Sequence, residues 1–272
     1  MLKKLFHVYI HGSIHVALAV YALVRITEIQ LGLPYQENIA YVAFYGTIVG
    51  YNFIKYRPAT SRSIREYVRK YLDILVITTI ALLAALVYLI QLPVRGLVIL
   101  GMAFGFTLLY ALPVLPNYKS LRYISGAKVS VVALCWSLVT VFVPALVYKS
   151  TLSIESLWIG IERFFFTFAL TIPFEIRDLK TDDARLSTLP RRWGISKTKK
   201  LGYLFLSVVL GVEVFVHLFL HPARYSMFWG SIIIIGISGL SIRYATIWQH
   251  QYYSAVWVEA IPILWWVVLL LL

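Results

Sequence analysis

The sequence predicts an all-α membrane protein, a single domain over residues 1–272 built as a polytopic bundle of about nine transmembrane helices. Three observations carry this. Hydrophobic residues make up 60% of the 272 positions, charged residues only 14%, and mean hydropathy is +0.80, a composition that leaves a soluble domain too little polar surface to cover itself. The apolar residues come in runs of about 17 to 25, the length of helix that crosses a bilayer. No alternating strand pattern is present, and in lipid only helices and closed barrels satisfy every backbone polar group.

The runs fall at Phe6 to Val24, Ile39 to Ile54, Leu72 to Ile90, Gly96 to Pro113, Val129 to Tyr148, Leu157 to Ile176, Leu201 to Leu220, Met227 to Ile242 and Tyr253 to Leu271. The first follows Lys3 and Lys4 as the apolar part of a signal peptide would, but no small-residue cleavage site closes it, so it is expected as a retained helix. The lone Cys135 lies inside the fifth run and offers neither a disulfide framework nor a thiolate metal site.

The net charge of +13 would suggest nucleic acid in a soluble chain. In a membrane chain it is expected of loops facing the cytoplasm and anionic lipid, so no nucleic-acid partner is expected. Assigning Lys and Arg to the two sides of the nine runs puts 20 of the 25 on one side. The positive-inside rule makes that side cytoplasmic, with the N-terminus, and places the C-terminus opposite. The two longest loops, after the second and sixth runs, then share the cytoplasmic face.

The loop after the sixth run opens Pro173-Phe-Glu-Ile-Arg-Asp178-Leu-Lys-Thr-Asp182-Asp183. If the helix continues, Glu175, Asp178 and Asp182 fall at i, i+3 and i+7 on one face. Such a carboxylate face can hold Mg²⁺, which takes oxygen ligands and completes its shell with water and phosphate; the same charges also suit a solvated helix end. Ile-Arg-Asp178-x-x-x-Asp182, followed by Ser-Thr-Leu-Pro190 and by Gly194 on a basic run, resembles the second aspartate motif of the UbiA superfamily of intramembrane prenyltransferases. Nine helices with functional loops after the second and sixth match that family's bundle, so the resemblance spans nearly the whole chain.

The resemblance implies that Asp178 and Asp182 bind Mg²⁺ with the diphosphate of a prenyl donor, and that a prenyl group passes to a lipophilic, for example aromatic, acceptor. Leu109-Tyr110-Ala-Leu-Pro113, with Lys119 and Arg122 beyond it, resembles the family's Tyr-x-x-Pro segment. That implies diphosphate-binding cations at Lys119 and Arg122, with Tyr110, Lys128 and Arg177 as further substrate contacts. The family's first motif, Asn-Asp-x-x-Asp, is degenerate. In Gly50-Tyr-Asn52-Phe53-Ile-Lys55-Tyr56, Asn52 matches but Phe53 and Tyr56 stand where the acids belong. A second Mg²⁺ site is therefore in doubt, and the Lys55 ammonium can supply part of the missing charge. The alternative is a catalytically silent or repurposed UbiA-like protein that binds lipid, scaffolds or assists transport.

Ionisable groups inside the runs are costly in lipid and face the bundle interior. Glu213 and His217, at i and i+4, suit a buried hydrogen-bonded pair, and Glu259 stands alone on the ninth run. His7, His11 and His15 share a helix face, which suits packing better than a transition metal, whose ligands converge from several elements.

The charge asymmetry predicts topology. In a Cys135→Ser background, cysteines placed near Arg62 and Lys197 are expected to react with an impermeant thiol reagent from the cytoplasmic side, and one after Leu272 from the other. Labelling of the first two from opposite faces would end the shared-site reading.

Overall fold

The computed structural model describes residues 2–56, 64–112, 124, 126–149, 151–181 and 187–272. The helices, in chain order, are α1 (Leu2–His11), α2 (Ile14–Leu31), α3 (Glu37–Lys55), α4 (Ile64–Leu89), α5 (Val94–Ala111), α6 (Ala127–Ser137), α7 (Val143–Tyr148), α8 (Ile154–Asp178), α9 (Leu189–Phe215), α10 (Tyr225–Tyr244) and α11 (Ile261–Leu271). A π-helical turn, Leu138–Phe142, joins α6 to α7; Val216–Leu220 extends α9, and Tyr253–Val258 leads toward α11. Eight helical segments among the described residues are long and apolar enough to cross a membrane. The ninth span expected from the sequence corresponds to α3, which is 19 residues long but falls outside that set of eight.

The first span departs from expectation. Instead of one helix from Phe6, the chain breaks at Gly12 and Ser13, Ser13 taking left-handed backbone angles of φ 62°, ψ 21°, and the spanning helix is α2. The cause is tertiary. Asn52 on α3 donates to the Gly12 carbonyl and accepts from Ser13 Oγ, holding the break open with hydrogen bonds that an apolar count cannot register. Gly194 breaks α9 near its start with φ 80°, ψ 160°, a conformation that only glycine adopts without a Cβ clash.

Around the central α8, α6, α9 and α10 pack directly, while α2 packs on α3 and α11. Phe168, Ile172 and Ile176 meet Leu206 and Ile242 on one side. Phe166 and Leu170 meet Leu23, Ile234 and Trp265 on the other, Phe166 standing edge-on to Trp265 at 5.0 Å. The outer surface is apolar: Ile80, Leu83, Leu86, Val98 and Phe104 are exposed on α4 and α5, as lipid-facing helices require. The end of α3, the start of α6, the end of α8 and the Tyr253–Val258 turn meet at one pole of the bundle. This brings together the ends of the second and sixth spans.

Gly160 on α8 marks a close approach, since a Cβ there would lie 2.4 Å from Phe142 Cζ. Gly160→Ala is expected to cost about 1 to 3 kcal/mol through overpacking, read as a lower unfolding temperature in detergent. Gly101→Ala on α5, where a Cβ meets nothing within 4 Å, is expected to leave it unchanged.

Candidate functional site

At this pole, α8 ends in Glu175, Arg177 and Asp178, and α6 begins with Lys128. Asp178 Oδ1 accepts from Arg177 Nε at 2.8 Å and Nη2 at 2.7 Å. Lys128 Nζ lies 3.1 Å from Asp178 Oδ2 and 3.0 Å from Glu175 Oε1. Glu175 is buried at 1% exposure, so its charge depends on that ammonium. Arg177 spends Nη1 on Ser254 Oγ at 2.9 Å, and Gln249 donates to the Pro173 carbonyl at 2.8 Å. The Tyr253–Val258 turn is thereby clamped to the end of α8.

A second network comes from the degenerate first motif. Asn52 is buried, its Oδ1 accepting from Ser13 Oγ at 2.8 Å and its Nδ2 donating to Gly12 O at 3.2 Å and Thr78 Oγ1 at 2.9 Å. With its amide so occupied, Asn52 acts on Lys55 through Ser13, whose Oγ accepts from Lys55 Nζ at 3.1 Å. Phe53 points outward, and Tyr56 donates to the His11 carbonyl at 2.9 Å.

The two networks face one recess. Lys55 lies within electrostatic reach of Glu259 and Arg177, and Tyr51 lies within reach of Glu259. Lys55 is exposed and Tyr51 and Glu259 are half-buried, so the three side chains keep surface that a small group could reach. Tyr51 accepts from Trp136 Nε1 at 3.2 Å. Glu259, which the sequence leaves isolated, is the acid of this recess, and Ser13, Gln249 and Ser254 are its supports. Only Glu259 had a signal that could have found it, a carboxylate within an apolar run.

Of the other expected residues, Tyr110 is buried at the end of α5, while Lys119, Arg122 and Asp182 lie outside the described residues. The expected Glu213–His217 pair does not form. Glu213 hydrogen-bonds to Ser231 and the His217 ring stacks on Phe228 at 4.5 Å, because the π turn that starts at Val216 changes the angular spacing on which an i, i+4 pair depends. His7 stacks on His11 at 4.1 Å, and His15 bonds Tyr9 and the Val256 carbonyl, so the histidines pack rather than converge.

Among the described residues no three His, Cys, Asp or Glu side chains converge as metal ligands. Two carboxylates, Glu175 and Asp178, do converge on one point cation, the Lys128 ammonium. Carboxylate oxygens are donors of the kind that Mg²⁺ takes; here the two carboxylates are engaged by the Lys128 ammonium.

Fold and site together define an integral, multi-pass membrane protein with an ion-paired polar pole, beside which Lys55, Tyr51 and Glu259 gather. No family model matches the chain, and no curated protein matches it in sequence. Among solved structures, a UbiA homologue from Archaeoglobus fulgidus bound to GPP and Mg²⁺ is similar over 96% of this chain and 98% of its own, with a TM-score of 0.63 at 13% identity. At that identity the likeness is one of fold: the chain is a UbiA-like helical bundle.

The shared ammonium makes a checkable prediction. Lys128→Met is expected to destabilise the protein by about 2 to 4 kcal/mol, below the full cost of breaking a buried pair because Lys128 is partly exposed. Adding Glu175→Gln should recover much of the loss, as a denaturation double-mutant cycle in detergent would read.

Proposed function

We propose that the protein is a membrane prenyltransferase that binds a prenyl diphosphate at the pole of Asp178 and transfers the prenyl group to a lipophilic acceptor in the recess. The observation that carries the proposal is the presence of Lys55, Arg177 and Lys128 at one pole of the bundle, Arg177 reaching both Asp178, which Lys128 shares, and the surroundings of Lys55. Three cations from three helices can receive a departing diphosphate, whose charge develops as the allylic C–O bond breaks. Lys119 and Arg122 are proposed to join them. Tyr110 and Asn52 act behind these cations, Asn52 by holding Ser13 and Lys55 in place. The similar fold of a GPP-bound homologue supports the reading.

Mg²⁺ is proposed to be held by Asp178 with Asp182, in competition with Lys128 for the Asp178 carboxylate. When bound it supplies charge to the diphosphate oxygens. In the recess, the faces of Tyr51 and Trp136 suit an allylic cation, and the apolar walls keep water from it. Glu259 is proposed to take the proton that the acceptor loses on forming its new C–C or C–O bond. The cytoplasmic setting of the pole follows from the charge asymmetry. The second reading, a silent relative in which Asp178 is only structural, draws on the engagement of both its oxygens by Arg177 and Lys128.

Binding of a nonhydrolysable prenyl diphosphate to detergent-purified protein tests the proposal. Asp178→Ala and Asp182→Ala are expected to abolish the Mg²⁺-dependent part. Lys55→Met should weaken binding about ten- to a hundredfold, the scale of one charge-assisted contact, and Arg65→Met much less. Absence of binding in the wild type would hand the protein to the silent reading.

A further inference from the structure

The break between α1 and α2 is held in a conformation that its own residues do not favour. Ser13, at φ 62° and ψ 21°, is the one non-glycine residue with positive φ among the described residues. A side chain with a Cβ enters this left-handed region at a cost in free energy. What the turn changes is where the buried hydroxyl goes. Thr27, Thr47, Thr78, Thr107 and Ser238 stand in regular helix, and each donates to the carbonyl four residues before it, the back-bond open to an in-helix hydroxyl. Ser13 instead donates across 39 residues to Asn52 Oδ1 at 2.8 Å.

The hydrogen bonds around it run in one direction. Asn52 Nδ2 donates to the Gly12 carbonyl at 3.2 Å and to Thr78 Oγ1 at 2.9 Å, and the Thr78 proton is itself spent on the Ile74 carbonyl. These partners fix which end of the Asn52 amide accepts. Asn52 Oδ1 then takes the single proton that the Ser13 hydroxyl owns. Toward Lys55, Ser13 Oγ can act only as an acceptor, and Lys55 Nζ donates to it at 3.1 Å. An ammonium carries three donors and no acceptor, so a fixed bond from one confines the other two to the side away from Ser13. Tyr56, next in the chain, secures the same break by donating to the His11 carbonyl at 2.9 Å.

We propose that Ser13 is a positioning residue: the left-handed break between α1 and α2 delivers an acceptor to Lys55 and so aims its two remaining N–H groups at a bound anion. The inference rests on the reading of Lys55 as a diphosphate ligand given above. Ser13 acts through Lys55 and does not itself touch the ligand. In a continuous helix its hydroxyl would return to the Tyr9 carbonyl, four residues back, and Lys55 would lose its acceptor. The stretch after Asn52 has Phe53 and Tyr56 where acids would hold a metal, and a segment far upstream supplies the group that orients the cation found there.

Ser13→Gly separates backbone from hydroxyl, because glycine adopts the left-handed turn without strain. Two readouts on the full chain in detergent test the proposal. The first is the rate at which Lys55 is acylated by an amine-reactive reagent, followed by peptide mass spectrometry. It is expected to rise several-fold in Ser13→Gly, and also in Ser13→Cys, which nearly keeps the side-chain volume and offers only a weak acceptor. Thr27→Val, which removes an equally buried hydroxyl serving its own helix, should leave the rate unchanged. The second is binding of geranyl thiolodiphosphate, a nonhydrolysable prenyl diphosphate. Ser13→Gly is expected to weaken it about three- to tenfold, the scale of one hydrogen bond, and to weaken it no further when added to Lys55→Met. A Lys55 rate unchanged in both Ser13 variants, or an equal loss of binding with and without Lys55, overturns the proposal. If the wild type binds no prenyl diphosphate, the function proposed above falls, and the Lys55 acylation rate alone decides whether Ser13 positions the ammonium.

Discussion

Lys128 reaches from the first turn of α6 to two carboxylates on the last turns of α8, and the arrangement of the polar pole follows from that shared ammonium. Glu175 is buried, so its charge is tolerated only beside a cation. Asp178, one turn on, takes the same cation and a two-pronged contact from Arg177. Arg177 then has only its remaining nitrogen to extend to Ser254. A single ion pair in a low-dielectric setting in this way fixes the relative position of α6, α8 and the turn ahead of α11.

The helix irregularities serve the same end. The break at Gly12 and Ser13 turns a carbonyl and a hydroxyl toward α3, where Asn52 and Lys55 use them. In the Tyr253–Val258 π turn the Val256 carbonyl, which also accepts from Ala260 N–H at 2.9 Å, bonds His15, and the Ser254 hydroxyl accepts from Arg177. Departures from ideal helix thus occur where polar groups must meet across elements in a membrane-embedded bundle.

The two poles solve the same problem differently. At the Asp178 pole three cations, Lys55, Arg177 and Lys128, face three acids, Glu175, Asp178 and Glu259. At the Glu162 pole the terminal nitrogens of Arg163 are committed to carbonyl, hydroxyl and amide oxygens, while Glu155 pairs with His221 and Arg224. One continuous helix, α8, carries the key acids of both, and its apolar middle, Phe166 to Ile172, keeps them apart in a closely packed core.

Composition and periodicity determined the class, the number of spans and most of their boundaries, because burial in lipid demands long apolar runs whatever the packing. The charged residues at the end of the sixth span, and the absence of acids after Asn52, were equally legible as residue types at fixed spacing. What each of them touches was not. Asn52 matched a motif in sequence but spends its amide on the Ser13 break; Glu259 looked solitary until the fold carried Lys55 and Arg177 to it; Glu213 and His217 looked paired until a π turn separated them. Spacing along one helix states which residues can meet only while the helix stays regular. Pairing between helices is decided by which buried groups satisfy one another across the bundle, a condition that belongs to the tertiary structure alone.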